Sequence, residues 1–244
     1  MRALSAPELL GIWERGLTQA PVERALELLA AVYPETSKDS LAVLSVGQRD
    51  ARLLRLRELL FGSRMAGFVG CPRCGGRLEL ALEVADLLAG SANEPEAEFS
   101  LTAGEYELRV RLPNSHDVAA AASQGDLTAT RRTLLNRCLL SASCGGESTT
   151  GEHLPQEVVE AAGERMAQAD PLADIQVAVA CPLCENRWRM AFDIMSFLWS
   201  EIEAWACRIL RDVHALASAY GWCERDILAL SPVRRQFYLE MVGA

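Results

Sequence analysis

Cys71-Pro72-Arg73-Cys74 and Cys181-Pro182-Leu183-Cys184 each place two thiols on a tight turn. Paired C-x-x-C knuckles supply the four soft sulfurs of a structural zinc site. Mononuclear iron accepts the same ligands, but nothing else in the chain points to electron transfer. One zinc ion held by Cys71, Cys74, Cys181 and Cys184 is therefore the expected centre; two unconnected pairs of buried thiols are the alternative. Joining the runs through one metal closes a loop over residues 75–180. A loop of about 100 residues costs about 4–5 kcal/mol to close. Structural zinc supplies about 10–16 kcal/mol in small peptides, so the metal offsets that closure.

The elements that must position these thiols form a near-repeat. Shifted by 110 positions, Val69-Gly70-Cys71-Pro72 falls on Val179-Ala180-Cys181-Pro182, Arg77 on Arg187, and Leu87-Leu88 on Phe197-Leu198. Each half reads as strand, metal turn, strand and helix start. The incoming strands are expected over 65–69 and 175–180, and the outgoing, alternating ones over 77–84 and 187–192. The fold class is thus α+β and mostly helical. A zinc ribbon is split by an insertion and flanked by helical regions. The expected parts are an N-terminal helical region (1–62), a first ribbon half (63–90), a hairpin-plus-helix insertion (91–172), a second half (173–193) and a C-terminal helical region (194–244).

Within those parts the pattern gives helices over 7–15, 21–32 and 47–60. The last carries Arg49, Arg52, Arg55 and Arg57, a stripe expected to be a solvated face paired with Asp50 and Glu58. Residues 89–97 read as a loop, followed by a hairpin of 98–102 and 106–112 turning at Ala103-Gly104-Glu105. Helices follow over 115–123, 127–141 and 155–169, with a polar, glycine-rich mobile loop at 145–151. A long helix over 195–220 stops at Gly221; a short one covers 224–230, and Ser231-Pro232 caps a last helix through Val242.

Catalytic chemistry is hard to find in this sequence. His116, His153 and His214 are isolated, and no nucleophile elbow, phosphate loop or H-E-x-x-H run is present. A four-thiolate zinc leaves no open position for water. Glu157, Glu160 and Glu164 share a helical spacing that suits a solvated face. A non-enzymatic protein without a small-molecule substrate is expected. Cys138 and Cys207 lie in apolar helical stretches as small buried hydrophobes, Cys144 at a helix end and Cys223 at a helix start. Eight cysteines in 244 residues are too sparse for a disulfide scaffold. The first eight residues lack a signal-peptide core, and Glu201, Glu203 and Arg208 interrupt the most apolar helix. Cytoplasmic synthesis without membrane insertion is the expectation. The formal charge of −9 opposes nucleic-acid binding. Lys38 is the only lysine among 24 Lys and Arg residues, a bias that looks like high-GC coding, so the arginines say little about phosphate recognition.

What remains is recognition. Around Tyr220-Gly221-Trp222 and Arg234-Arg235-Gln236-Phe237-Tyr238 the chain concentrates the residue types of interface hot spots. Tyr220, Trp222, Arg234, Arg235 and Tyr238 are the candidate partner-binding residues; closure of the C-terminal cap over the core is the competing reading. Five segments stand out together: Leu9-Leu10-Gly11-Ile12-Trp13-Glu14-Arg15-Gly16, the 21–29 helix, Val46-Gly47-Gln48-Arg49-Asp50-Ala51, the first Cys-Pro-x-Cys-Gly knuckle and the Tyr-Gly-Trp…Asp-Ile-Leu…Arg-Arg ending. In these the chain resembles baseplate-assembly proteins encoded with phage-type contractile tails and related contractile injection systems, similar to the T-even phage baseplate hub assembly chaperone family. Cys223 departs from the pattern, standing where a small polar cap is expected. The resemblance implies a baseplate part or assembly factor that docks to baseplate, hub or spike subunits and is carried in an assembled tail or injection particle. A zinc-ribbon adaptor in transcription or nucleic-acid handling is the alternative function.

Overall fold

The computed structural model describes residues 1–89 and 96–243. The chain begins with α1 (Ala6–Gly16), α2 (Pro21–Val32), α3 (Lys38–Ala42) and α4 (Val46–Phe61). Strands β1 (Arg64–Gly70) and β2 (Arg77–Glu83) lead to the short α5 (Val84–Leu88). Next come β3 (Glu98–Ala103), β4 (Tyr106–Arg111), α6 (Ser115–Ala121), α7 (Leu127–Cys138), β5 (Leu139–Cys144), β6 (Glu147–Ser148) and α8 (Gln156–Ala169). Strands β7 (Gln176–Ala180) and β8 (Arg187–Ala191) precede α9 (Ile194–Tyr220), α10 (Glu224–Leu228) and α11 (Pro232–Val242). The fold is α+β with small antiparallel sheets and more helix than strand, in line with the sequence. Of the loop expected at 89–97, residues 90–95 lie outside the described residues.

The chain divides into two compact units, Met1–Pro34 with Met195–Ala244, and Glu35–Ile194. In the first, α1 starts where the Glu8 carboxylate accepts from both the amide and the hydroxyl of Ser5. Leu10, Ile209, Leu216, Ile227, Leu228 and Leu239 form its core. Gly16 has no side chain because the Trp199 ring occupies that space: a Cβ there would stand 2.1 Å from the ring. The Arg24 guanidinium lies over the same ring, 4.5 Å from its centre. Gly221, at φ 68°, ends α9 in the left-handed region that glycine adopts without strain.

The second unit is built on the sheet β3-β4-β5-β6. Phe99, Leu108 and Val110 of the sheet meet Leu135 of α7 and Val158, Val159 and Met166 of α8 in one core. The first turn of α4 is capped from a distance, since the buried Asp170 carboxylate accepts from the Gly47 amide at 2.8 Å.

Four expectations fail here. Residues 139–141 are strand, not the end of a helix, because Leu139–Cys144 pairs with β4 and adds a third strand to the sheet. Residues 145–151 are not a plain loop: Gly145 and Gly146, at φ 57° and 89°, make a tight turn into β6, so Cys144 ends a strand rather than a helix. The arginine face of α4 is not solvated throughout. Arg49 and Arg57 are buried, Arg49 against its neighbour Asp50 at 2.8 Å and Arg57 donating to the Gly62 carbonyl at 2.6 Å. Cys207 is exposed rather than buried, on the outer side of α9.

Candidate metal centre

Two hairpins carry the cysteines, and the near-repeat of the sequence is a repeat of backbone. In β1–β2, Gly70 pairs with Arg77 and Val69 with Leu78; in β7–β8, Ala180 pairs with Arg187 and Val179 with Trp188. At each tip two amide–carbonyl hydrogen bonds close the knuckle. Cys71 N donates to Gly76 O and Gly75 N to Cys71 O, while Cys181 N donates to Asn186 O and Glu185 N to Cys181 O, all at 2.9 Å. The turn demands a left-handed residue after the second cysteine. Gly75 supplies it at φ 70°, and Glu185 adopts it at φ 58°.

The tips meet. Cys71 Sγ lies 3.6 Å from Cys184 Sγ, and Cys74 Sγ lies 3.7 Å from Cys181 Sγ. All four sulfurs fall within 4.8 Å of one another, and they are the residues named from sequence. Tetrahedral zinc with Zn–S bonds of about 2.3 Å needs sulfurs about 3.8 Å apart, so the donor set fits that ion in chemistry and spacing. Cys71 and Cys181 are buried, with Leu78 completing a small core against Val69, Cys184 and Trp188. Gly76 allows the close approach: a Cβ there would stand 2.6 Å from Leu183 Cδ1 of the other knuckle. The spacing in sequence gave no hint of that contact.

As free thiols Cys71 and Cys184 differ. Burial opposes ionisation of Cys71, but the Cys74 and Arg73 amides and the Cys184 thiol donate to its sulfur and bring it down to about 6. At Cys184 the Asn186 amide works toward the thiolate. Burial and the neighbouring thiols of Cys74, Cys71 and Cys181 outweigh it and push the group up to about 12. Crowded sulfurs that resist shedding all their protons are relieved by a cation among them.

The C-terminal candidates are placed differently. Tyr220 stacks on Trp222 with ring centres 4.7 Å apart, and Tyr238 meets both edge-on at 5.8 Å and 4.9 Å. Arg235 pairs with Asp212 at 3.2 Å, and Arg234 is exposed. Sequence reasoning missed the neighbouring stripe of Val233, Phe237 and Met241, all exposed on α11; their four-residue spacing was the available signal.

The remaining four cysteines, Cys138, Cys144, Cys207 and Cys223, join no candidate metal cluster among the described residues. No helix among those residues is long and apolar enough to cross a membrane.

Neither the curated proteins nor the solved structures contain a match to this chain. A family model does match: that of the T4 bacteriophage base plate protein, over residues 18–199. The matched span runs through both hairpins and well over half of the sequence, so it takes in the four-cysteine cluster along with the elements that carry it. This chain belongs to the T4 bacteriophage base plate protein family.

Proposed function

We propose that this protein is a non-enzymatic, zinc-stabilised structural or assembly component of a contractile-tail or injection-system baseplate, close in role to the hub assembly chaperones. Family membership supports the baseplate assignment. The observation that carries the rest is the four-sulfur cluster, with cross-hairpin distances that suit tetrahedral zinc. Cys71, Cys74, Cys181 and Cys184 hold the ion as thiolates. The ion supplies charge neutralisation and a fixed crossing of two hairpins, the joint of a split zinc ribbon between the parts 63–90 and 173–193. The helical regions 1–62 and 194–244 and the insertion 91–172 are the remaining parts of that division.

Docking to baseplate, hub or spike subunits runs through the C-terminal segment. The packed rings of Tyr220, Trp222 and Tyr238 and the Arg235–Asp212 pair stiffen it, and Arg234 offers an exposed guanidinium. The protein is made in the cytoplasm and carried into the assembled particle. A Cys181→Ser variant tests the reading. It is expected to lose stoichiometric zinc, to melt earlier and to stop co-purifying with co-expressed tail subunits. Wild-type protein purified without zinc and melting at the same temperature as the variant overturns the metal reading.

A further inference from the structure

The four sulfurs that suit a metal also lie in two pairs, each with one cysteine from either hairpin. Cys71 Sγ and Cys184 Sγ are 3.6 Å apart, and Cys74 Sγ and Cys181 Sγ are 3.7 Å apart. The sulfurs of a disulfide are about 2.05 Å apart, so a side-chain movement of about 1.6 Å separates each contact from a covalent bond. Burial divides both pairs in the same way. Cys74 is exposed and Cys184 half-buried, whereas their partners Cys181 and Cys71 are buried. One sulfur of each pair meets solvent, and the other stands behind it.

Apolar packing also holds the hairpins against each other. Val69 and Leu78 of the first share one cluster with Trp188 of the second and with the buried Cys71 and Cys181. At the tips, Leu183 lies over the bare backbone of Gly76.

We infer that the cluster has a second, covalent form: in the metal-free chain a small disulfide such as oxidised glutathione converts it into two cross-hairpin disulfides, Cys71–Cys184 and Cys74–Cys181. The more accessible thiolate of a pair attacks one sulfur of the oxidant and expels one glutathione thiol. Its buried partner then attacks the mixed disulfide and expels the second. For each protein disulfide formed, two cysteines give up two electrons and two protons, and one oxidant molecule takes them up as two glutathione thiols. The choice of partner decides what survives. Bonds within a knuckle, Cys71–Cys74 and Cys181–Cys184, would leave the hairpins unlinked. The cross-hairpin bonds span 113 and 107 positions and constrain the unfolded chain over the same loop as a shared ion. A particle that leaves a reducing cytoplasm thereby keeps its joint where disulfides persist. This inference rests on the four-sulfur cluster of the proposed metal centre but not on an ion being bound there.

Disulfide mapping tests it. Full-length protein is stripped with a chelator under reducing conditions, moved into oxidised glutathione at neutral pH and digested without reduction. Trypsin cuts after Arg73 and chymotrypsin after Leu183, so the four cysteines fall on separate peptides. Mass spectrometry is expected to find Cys71 joined to Cys184 and Cys74 joined to Cys181, in large excess over links within a knuckle. In concentrated urea the shortest loops close most readily, so the within-knuckle links should dominate there instead. The oxidised protein is expected to melt about 5–10 °C above its reduced, metal-free form. Within-knuckle links in the protein oxidised without urea overturn the inference. So do sulfurs left free or capped by glutathione, and so do cross-hairpin links that bring no rise in melting temperature. Zinc content, measured before stripping, tests the metal reading separately.

Discussion

Glu185 is the non-glycine residue with positive φ among the described residues, and it stands where the first knuckle has Gly75. The left-handed conformation brings a Cβ close to the following carbonyl and costs about 1–2 kcal/mol in any residue but glycine. Glu185→Gly is therefore expected to stabilise the fold by about 1 kcal/mol even though the unfolded chain gains freedom, raising the melting temperature by about 2–4 °C. An unchanged or lower melting temperature would show that the Glu185 side chain contributes more than its backbone costs. Asp117 works in the other direction. It is buried, and Arg111 holds it by two hydrogen bonds at 2.6 and 3.0 Å, with Arg137 at 3.0 Å and the Asn114 amide at 3.1 Å. Burial opposes its charge, but the Arg111 guanidinium, the Asn114 amide and Arg137 prevail and hold its pKa below the ordinary carboxylate value. A depressed pKa contributes stability that is complete above the unfolded value of about 3.9 and is lost as pH falls through the folded value. Asp117→Ala should cost about 3 kcal/mol at neutral pH by leaving two guanidiniums without their carboxylate. The loss should shrink in acid below about pH 4. Urea titrations at neutral and acidic pH measure both.

At the scale of elements, α4 shows where sequence patterning stops being informative. Arg49 and Asp50 are adjacent in sequence, and an amphipathic reading turns such neighbours outward to water. In the folded chain both are buried and paired with each other, and one guanidinium nitrogen, Arg49 Nη1, is buried without a hydrogen-bond partner. Burial pushes the Asp50 carboxyl up, with Arg49 opposing and Asp193 and Asp170 adding to the rise. That is the signature of a pair whose desolvation rivals its attraction. Arg49→Met alone is expected to cost about 3 kcal/mol by stranding the carboxylate, whereas Arg49→Met/Asp50→Leu should come within about 1 kcal/mol of wild type. A double variant no better than the sum of its single changes would show that the pair itself holds α4 in place. The same limit explains β5. Nothing local separates Leu139–Cys144 from the helix before it; pairing with β4, made by residues far back in the chain, decides the matter. The knuckle hairpins were legible because their determinants are local: a C-P-x-C turn, strands of alternating polarity and a second copy of the pattern at a fixed offset. The α11 helix was legible in its cap, where Ser231 Oγ accepts from the Arg234 amide at 3.3 Å, but not in which face stays wet. Tyr220, Trp222 and Tyr238 read as docking residues by type, yet they chiefly pack on one another, which only the third dimension could reveal.

At the scale of the molecule, a metal ion joining Cys71 and Cys74 to Cys181 and Cys184 would tie the two ends of the Glu35–Ile194 unit, while the Met1–Pro34 and Met195–Ala244 unit keeps a hydrophobic core of its own. Metal removal should therefore act unevenly. Trp188 supplies the internal probe, since it packs on the buried Cys71, Leu78 and Cys181 and is the tryptophan of that unit. Trp13, Trp199, Trp205 and Trp222 all belong to the other. Chelation at neutral pH is expected to shift the emission of the wild-type protein to the red as Trp188 gains water, and Trp188→Phe should abolish most of that change. The unfolding transition of the Glu35–Ile194 unit should move to lower temperature, because closing a loop of about 100 residues costs about 4–5 kcal/mol once nothing offsets it. Cysteine thiols must lose their protons to ligate a metal, so acid should reproduce the effect of the chelator, with the metal released as protons compete for the sulfurs. An emission change that persists undiminished in Trp188→Phe would place the structural response to metal outside the paired hairpins.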